Sequence, residues 1–312
     1  MTEPRDGKFN RRTFVKLAGA TLGGALLPLS GMRMAWSQAL STGSAELTLL
    51  HDGSISLPLS FFFPDAPQDE LHRMLVENGL PTDALQTDLN VTLVRLGHRL
   101  VIFDAGSGPN FMPTTGKLAE SLAAAGVDPG SVTDVVITHA HPDHIWGLTD
   151  EFDELLFANA AHHIGQKEWD FWSSPEALGK LPESRHSFVA GAQRRFAALD
   201  GKVRFLKDGD EVLPGIEAMS TPGHTPGHMS FMIHGSEPVL VVGDAISSSV
   251  LSFARPAWPM ASDQDPDDAV KTRVALLDRL ATDRARAIGY HFPHPGAGFV
   301  ERRNDAFVYV PS

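Results

Sequence analysis

Apolar positions along the chain fall into two β-rich sets with helical stretches around them. In the first set, Glu46-Leu-Thr-Leu-Leu50, Ile55 to Leu59, Asn90 to Leu96 and Arg99 to Phe103 read as strands, the last two joined at Gly97-His98 like a hairpin. A helix is expected at about Lys117 to Ala125, ending at Gly126, and Val135-Val-Ile-Thr138 reads as a buried strand. Glu183 to Ala198 and Asp267 to Ala281 read as helices, the latter with Val270, Val274 and Leu277 on one face. The second set comprises Val203 to Leu206, Ile216 to Ser220, Met229 to Ile233 and Val239 to Val242. Two β-rich halves, each with helices to cover one side, predict an α/β chain built as an αββα sandwich: two mixed β-sheets packed face to face with helices on both outer sides.

Composition narrows the function. The 312 residues are 42% hydrophobic and 21% charged, as in an ordinary globular chain. A formal charge of −12 offers no basic surface for a nucleic acid. Cysteine is absent, which removes disulfides, thiolate metal sites, iron-sulfur clusters and cysteine nucleophiles together, so a metal must be held by His, Asp or Glu.

Residues 1–39 have a targeting layout. Asn10-Arg-Arg-Thr-Phe-Val-Lys16 precedes a mild Gly/Ala-rich apolar run, and Ser37-Gln-Ala39 suits cleavage at small residues. The run from Phe14 to Leu29 is short, carries Lys16 and several glycines, and contains Pro28 near its end, which argues against a membrane anchor. The segment resembles a twin-arginine export signal, implying the twin-arginine translocase as a partner and a periplasmic or secreted location. Its removal takes away six basic residues (Arg5, Lys8, Arg11, Arg12, Lys16, Arg33) and two acids (Glu3, Asp6), leaving residues 40–312 at −16 as one hydrolase domain.

The chemistry concentrates in Thr138-His-Ala-His-Pro-Asp-His144, directly after a predicted strand. In extended backbone His139 and His141 point the same way, and a turn at Pro142 lets Asp143 and His144 face a second point nearby. Three further candidates follow apolar runs or lie in Gly/Pro turns: His224 in Ser220-Thr-Pro-Gly-His-Thr-Pro-Gly-His228, Asp244 after Val239-Leu-Val-Val-Gly243, and His291 after Ala287-Ile-Gly-Tyr290.

With these motifs the sequence resembles the metallo-β-lactamase fold superfamily of binuclear hydrolases over nearly all of residues 45–310. The resemblance implies that His139, His141 and His224 hold one divalent ion, that Asp143, His144 and His291 hold the other, and that Asp244 bridges both. Asp104 matches an acid that orients a histidine ligand; His228 and His294 are decoys. Two ions carry +4, and Asp143, Asp244 and a bridging hydroxide reduce this to about +1, suited to an anionic intermediate in ester hydrolysis. That hydroxide is the implied nucleophile, with Asp143 and Asp244 as the catalytic carboxylates. Zinc is the expected metal, and His/Asp sites also accept Mn, Fe or Co according to supply.

Within that superfamily, zinc β-lactamases are disfavoured: one group needs a cysteine ligand, and the others lack the bridging acid that Asp244 provides. His141 stands where the redox di-iron relatives carry Glu. Nuclease relatives carry a further domain or a basic surface, and neither is visible. Leu50-His-Asp-Gly-Ser54, the run Thr92 to Gly108 and the block Gln166-Lys-Glu-Trp-Asp-Phe-Trp172 are similar to the branch of methyl parathion hydrolase and exported lactonases and aryl esterases. The small acyl-homoserine lactonases use a tyrosine beside the metals. Here only Tyr290 and Tyr309 exist, neither evidently placed to help, which leaves leaving-group protonation to Asp143, Asp244 or water.

Phe111, Trp172 and Phe188 match pocket positions and suit an aryl leaving group, although Trp169, Phe171 and Trp172 at helical spacing also suit a core. Trp146 either narrows the cleft or fills the core. Leu59 to Pro67, with three consecutive Phe, is a candidate to pack against a second subunit, as in a homodimer, or over the cleft. The expected activity is a metal-dependent lactonase or aryl esterase with a phosphotriesterase sideline. The alternatives are a phosphotriesterase proper and a non-catalytic periplasmic metal-binding protein.

Overall fold

A computed structural model describes residues 37–312 apart from Asp200. The paired arginines and apolar run expected to direct export lie outside the described residues. Among the described residues fourteen strands form two seven-stranded sheets. The first takes β1 (Ser37–Ser41), β2 (Glu46–Pro58), β3 (Ala84–Leu96), β4 (Arg99–Phe103), β5 (Asp134–Ile137), β6 (Ala161–Gly165) and β7 (Val203–Leu206) in sequence order. It is antiparallel from β1 to β4 and parallel from β4 to β7. The second takes β8 (Glu211–Leu213), β9 (Ile216–Ser220), β10 (Met229–Ile233), β11 (Val239–Gly243), β12 (Arg286–Gly289), β13 (Ala297–Arg303) and β14 (Ala306–Pro311), with only β11 and β12 parallel. The helices are α1 (Leu59–Phe62), α2 (Gln68–Glu77), α3 (Leu118–Ala124), α4 (Pro142–Ile145), α5 (Gln166–Ser173), α6 (Ala177–Lys180), α7 (His186–Ala198), α8 (Leu251–Ala254) and α9 (Pro266–Asp283).

Three apolar layers hold this arrangement. Between the sheets, Leu47, Leu49, Val101 and Phe103 meet Ile216, Phe231, Val239 and Val241, with the Phe103 and Phe231 rings 5.4 Å apart. Outside the first sheet, Leu93, Ile102 and Ile137 pack under Leu122, Trp172 and Phe196 of α3, α5 and α7. Outside the second, Leu240, Val242 and Ala287 pack under Leu276, Leu277 and Leu280 of α9. The expected αββα sandwich is therefore the observed fold. Burying each such side chain contributes about 1.5–3 kcal/mol, which favours the face-to-face packing over separate sheets. Among the described residues no helix is long and apolar enough to cross a membrane.

Several sequence expectations shift. The two expected strands Glu46–Leu50 and Ile55–Leu59 are one long strand that ends at Pro58, interrupted by a bulge between His51 and Ser54, and Leu59 begins α1. Gly53 adopts φ +110°, and the bulge turns Asp52 inward to accept hydrogen bonds from the Ser107 and Leu118 amides. The stretch 183–198 begins as a 3-10 turn and becomes α-helical only at His186. On α9 the buried face is Ala269, Arg273, Leu276, Leu277 and Leu280, whereas Val274 is 39% exposed. The apolar periodicity pointed to the wrong stripe because the residue at its centre is a buried arginine. Residues 37–39, expected to hold the cleavage site, lie in β1, whose ladder runs from Ser37↔Leu50 to Ser41↔Glu46. A cut after Ala39 would leave Leu40 and Ser41 of that strand.

His162 on β6 is fully buried, and burial, with Lys202 and His163 nearby, holds its imidazole down to about 4. The unfolded chain protonates this group near pH 6.5, so between pH 6.5 and 4 the unfolded state binds the extra proton and stability falls with pH. His162→Leu removes that contribution. In urea unfolding across this window the variant's stability relative to the wild type should rise steadily as pH falls; a constant difference would contradict the assignment.

Candidate metal centre

The ends of several strands place ligand-type side chains at one edge of the sandwich. The loop after β5 supplies His139 and His141, the short helix α4 that follows it supplies Asp143 and His144, the loop after β9 supplies His224, β11 runs directly into Asp244, and His291 follows the end of β12. Potential donor atoms of His139, His141 and His224 lie within 4.8 Å of one another, as do those of His139, His144 and Asp244, and those of Asp143, His144 and His291. Asp244 stands between the groups: its Oδ1 is 3.3 Å from His144 Nε2, and its Oδ2 is 3.3 Å from His224 Nε2 and 3.1 Å from His291 Nε2. Asp143 Oδ2 lies 3.4 Å from His291 Nε2. All seven residues singled out in the sequence are thus brought together, with Asp244 within 3.3 Å of His144, His224 and His291.

The atoms left without partners fit a cation. His139 Nε2, His141 Nε2, His144 Nε2 and Asp244 Oδ1 are buried with no hydrogen bond, while His224 Nε2 and His141 Nδ1 share one at 2.9 Å. Buried orphan acceptors are costly in a protein interior unless a positive charge sits among them. Neutral imidazoles and carboxylates are the donor set of Zn, Mn, Fe or Co rather than of Ca or Mg.

Outer contacts aim the rings. Asp104, at the end of β4 with φ +63°, accepts hydrogen bonds from Thr138 N, Thr138 Oγ1 and His144 Nδ1, each at 2.8 Å. His224 Nδ1 pairs with Asp263 Oδ1 at 3.1 Å, and His291 Nδ1 lies 3.2 Å from the Asp88 carbonyl. Each contact occupies Nδ1 and leaves Nε2 turned toward the cluster. Asn90 Nδ2 donates to the carbonyls of Gly289, Tyr290 and Phe292, fixing the turn that carries His291.

Burial, and then the neighbouring imidazoles, push His139 and His141 well below the usual histidine range, which keeps their lone pairs available. Burial opposes charge on His144 as well, but the carboxylates of Asp244, Asp143 and Asp104 outweigh it and hold His144 well above that range. Asp244 is pushed up by burial and drawn down further by His291 and His144, so it stays well below the usual carboxylate range.

The two decoys stay outside the cluster. His228 accepts from the Asp244 amide through Nε2 and meets Thr221 Oγ1 through Nδ1, supporting Asp244 from behind, and burial holds its pKa down to about 3. His294 Nδ1 pairs with Asn90 Oδ1. Tyr290 is closer to the site than expected: its ring stacks on His144 at 3.8 Å, and its buried hydroxyl donates to the Asp143 carbonyl at 2.6 Å. Neither position lines the cavity.

A cavity of about 90 Å³ opens over the cluster. Phe111 and Phe188 line it as expected; Trp172 does not. Trp172 is fully buried, packs edge-on against the His141 ring at 5.7 Å and donates its indole N–H to Glu168, so its helical spacing reflected the core. Trp146 also stays off the lining and packs edge-on against Phe111 at 5.7 Å. In the triple-Phe segment, Phe62 and Phe63 are buried against α2 and Met260, while Phe61, 43% exposed, lines the cavity with Phe62. Sequence reasoning missed Glu168, Asp263, Arg273 and Arg185: Glu168 stands inside the block Gln166 to Trp172 but was given no role there, and the other three stand in no motif. Arg185 is the charged lining residue outside the cluster, anchored on the carbonyls of Ala261 and Ser262.

Residues 87–291 match the metallo-beta-lactamase superfamily, and the chain belongs to that family. Among solved structures, the dizinc quorum-quenching lactonase AidC, in complex with the product N-hexanoyl-L-homoserine, superposes with a TM-score of 0.84 at 32% identity, covering 88% of this chain and 97% of its own. The hydrolase AbOPH of the beta-lactamase superfamily gives 0.83 at 28% identity, again covering 88% and 97%. A Bacillus sp. N-acyl homoserine lactonase is 24% identical over 66% of this chain and 71% of its own length. The lactonase AttM of Agrobacterium fabrum is 28% identical over 40% of this chain and 46% of its own.

Replacing the shared carboxylate tests the grouping. Asp244→Ala should lose at least one tightly held ion, read by elemental analysis after dialysis against metal-free buffer. Retention of two tightly bound ions would refute the bridging assignment.

Proposed function

We propose that this protein is a metal-dependent lactonase whose two sites hold divalent ions, zinc foremost, and whose substrate is a lactone bearing an acyl amide, as in the N-acyl homoserine lactones. The observation that carries the reading is the convergence of His139, His141, His224, Asp143, His144, His291 and Asp244 at the floor of a mostly apolar cavity. When bound, the ions supply Lewis acidity toward the ester carbonyl and lower the pKa of water enough for attack near neutral pH.

The chain's own residues do the remainder. Phe111 and Phe188 wall the ring-binding space, and Leu57, Phe61, Phe62 and Met260 offer an apolar path for an acyl chain. Asp143 lines the cavity and provides a carboxylate oxygen to carry a proton to the departing alkoxide. A guanidinium has five N–H donors, and Arg185 commits two to Ala261 and Ser262, which leaves donors for a substrate carbonyl. The likeness to AidC and to AttM supports the lactone class. Attack on an ester carbonyl passes through a tetrahedral species and attack on a phosphotriester through a five-coordinate one, so the two substrate classes ask different shapes of the same cavity.

The test is kcat/KM of one metal-loaded preparation, with metal content measured, on an N-acyl homoserine lactone, dihydrocoumarin and a dimethyl aryl phosphotriester. A preference of a hundredfold or more for lactones, about 2.7 kcal/mol in the transition state, is expected. The reverse preference would make the protein a phosphotriesterase, and inactivity on all three with two metals bound would favour a metal-binding protein. Arg185→Met should raise KM about tenfold for the acyl-amide lactone and leave a plain γ-lactone unaffected; equal effects on both would remove Arg185 from amide recognition.

The proposal extends to location, on the strength of Arg11-Arg12 and the apolar run after them. Changing both arginines to lysine should retain the protein in the cytoplasmic fraction of a cell with a working twin-arginine pathway. Unchanged export would point to another route.

A further inference from the structure

Helix α5 carries a fully buried acid that the proposed chemistry does not use. Glu168 Oε1 accepts from the Ala140 amide at 2.8 Å and from Trp172 Nε1 at 2.7 Å, and Oε2 accepts from Thr225 Oγ1 at 2.8 Å and from the Gly227 amide at 3.0 Å. Ala140 lies between His139 and His141, and Thr225 follows His224. One carboxylate therefore joins the two loops that supply the three-histidine group, while its fourth donor, Trp172, packs against the His141 ring. The contact is close enough to constrain sequence. A Cβ on Gly227 would fall 2.0 Å from the Glu168 nitrogen, so a side chain there would push α5 off the His224 loop.

The donor pattern demands a carboxylate. Four donors converge, three of them N–H groups that cannot reverse their role. A glutamine amide has one acceptor oxygen. In either orientation its NH2 would meet the Ala140 and Trp172 donors or the Gly227 amide, leaving buried donors unmade at a cost of about 1–3 kcal/mol. Ligand groups must be held within about 0.5 Å of their working geometry, and losing such outer support typically weakens a metal site 10- to 100-fold.

We propose that Glu168 is a positioning residue that sets the separation of the His139/His141 loop from the His224 loop, and thereby the affinity of the three-histidine site for its ion. The proposal rests on the reading of this cluster as a metal centre. It is tested by titrating the metal-free protein with zinc in competition with a chromophoric chelator. In Glu168→Gln one of the two binding steps should weaken 10- to 100-fold and the other should stay within threefold. The kcat of the loaded enzyme should fall while KM holds within twofold. Thr225→Val deletes one donor and leaves Oε2 bonded to Gly227, so it should weaken the same step by a smaller factor and covers the case in which Glu168→Gln fails to fold.

Asp134→Asn is the control for general destabilisation. Asp134 is a fully buried carboxylate bonded to Arg99, His163 and Thr133 at the start of β5, away from the ligand loops. That variant should lower Tm and leave both binding steps intact. Unaltered zinc binding in the folded Glu168 and Thr225 variants, or an equal loss in Asp134→Asn, would overturn the positioning role alone. A wild-type protein that takes up no zinc would overturn the metal reading, and the proposal with it.

Discussion

The constraint on which the rest of the site depends is the burial of ring nitrogens and carboxylate oxygens against one another, several of them without a hydrogen bond. His224 Nε2 and His141 Nδ1 meet at 2.9 Å, with Asp244 at 3.3 Å from the first of them and His139 Nε2 buried without a partner. Unfolded, these groups would each be solvated separately; folded, the atoms left without a hydrogen bond are costly unless positive charge sits among them. His144, held above the usual histidine range chiefly by Asp244 once burial is overcome, shows how strongly the two carboxylates of the cluster call for a cation. An ion of +2 answers that demand better than a proton, because it satisfies several lone pairs at once.

Holding such a cluster open requires rigid support, and the sandwich provides it in layers. The parallel pairing of β4 with β5 brings Asp104 beside Thr138, so the first ligand loop is bonded at its root. On the other sheet, parallel β11 and β12 end beside each other at Gly243 and Gly289, which places Asp244 and His291 on neighbouring strand ends. Gly243 is needed for packing there, since a Cβ would come 2.6 Å from His228 Nε2, the atom that receives the Asp244 amide. The inter-sheet core then fixes the two sets of loops relative to one another, because Phe103 sits directly before Asp104 and Val241 stands two residues before Gly243.

How much of this was legible depended on sequence distance. The His139–His144 motif is local, and its alternation and Pro142 turn follow from backbone geometry, so both half-sites could be read from six residues. Asp244 and His291 were legible because each follows an apolar strand run. Glu168 and Asp263 were not, since what defines them is a partner 28 or more residues away and an acid inside a helix or a polar turn is ordinary. Val274 was assigned to the wrong surroundings because helical spacing groups residues on a face without saying what that face meets, whereas for Trp172 the same spacing pointed correctly to the core and only the likeness to pocket positions pointed to the cavity. The bulge at Asp52–Gly53 was read as a gap between two strands because the alternation of apolar positions breaks there, although the ladder resumes at Ser54.

The metal centre and the substrate cavity share one support, which limits how independently they can change. Met260 and Ser262 line the cavity, and Asp263 of the same turn holds His224 Nδ1. Burial pushes the Asp263 carboxyl up, but His224 and Arg273 draw it below the usual carboxylate range, so it stays an ionised acceptor for the ring. Arg273 is itself fully buried and donates to the carbonyls of Pro256 and Trp258 as well as to Asp263, so one guanidinium on α9 fixes the whole turn from Pro256 to Asp263. A substitution that reshapes the cavity by moving Met260 therefore also tilts the acceptor that aims His224. Arg185, anchored on the carbonyls of Ala261 and Ser262, belongs to the same unit, so the charged wall of the cavity and the geometry of the three-histidine group are coupled through a single eight-residue turn.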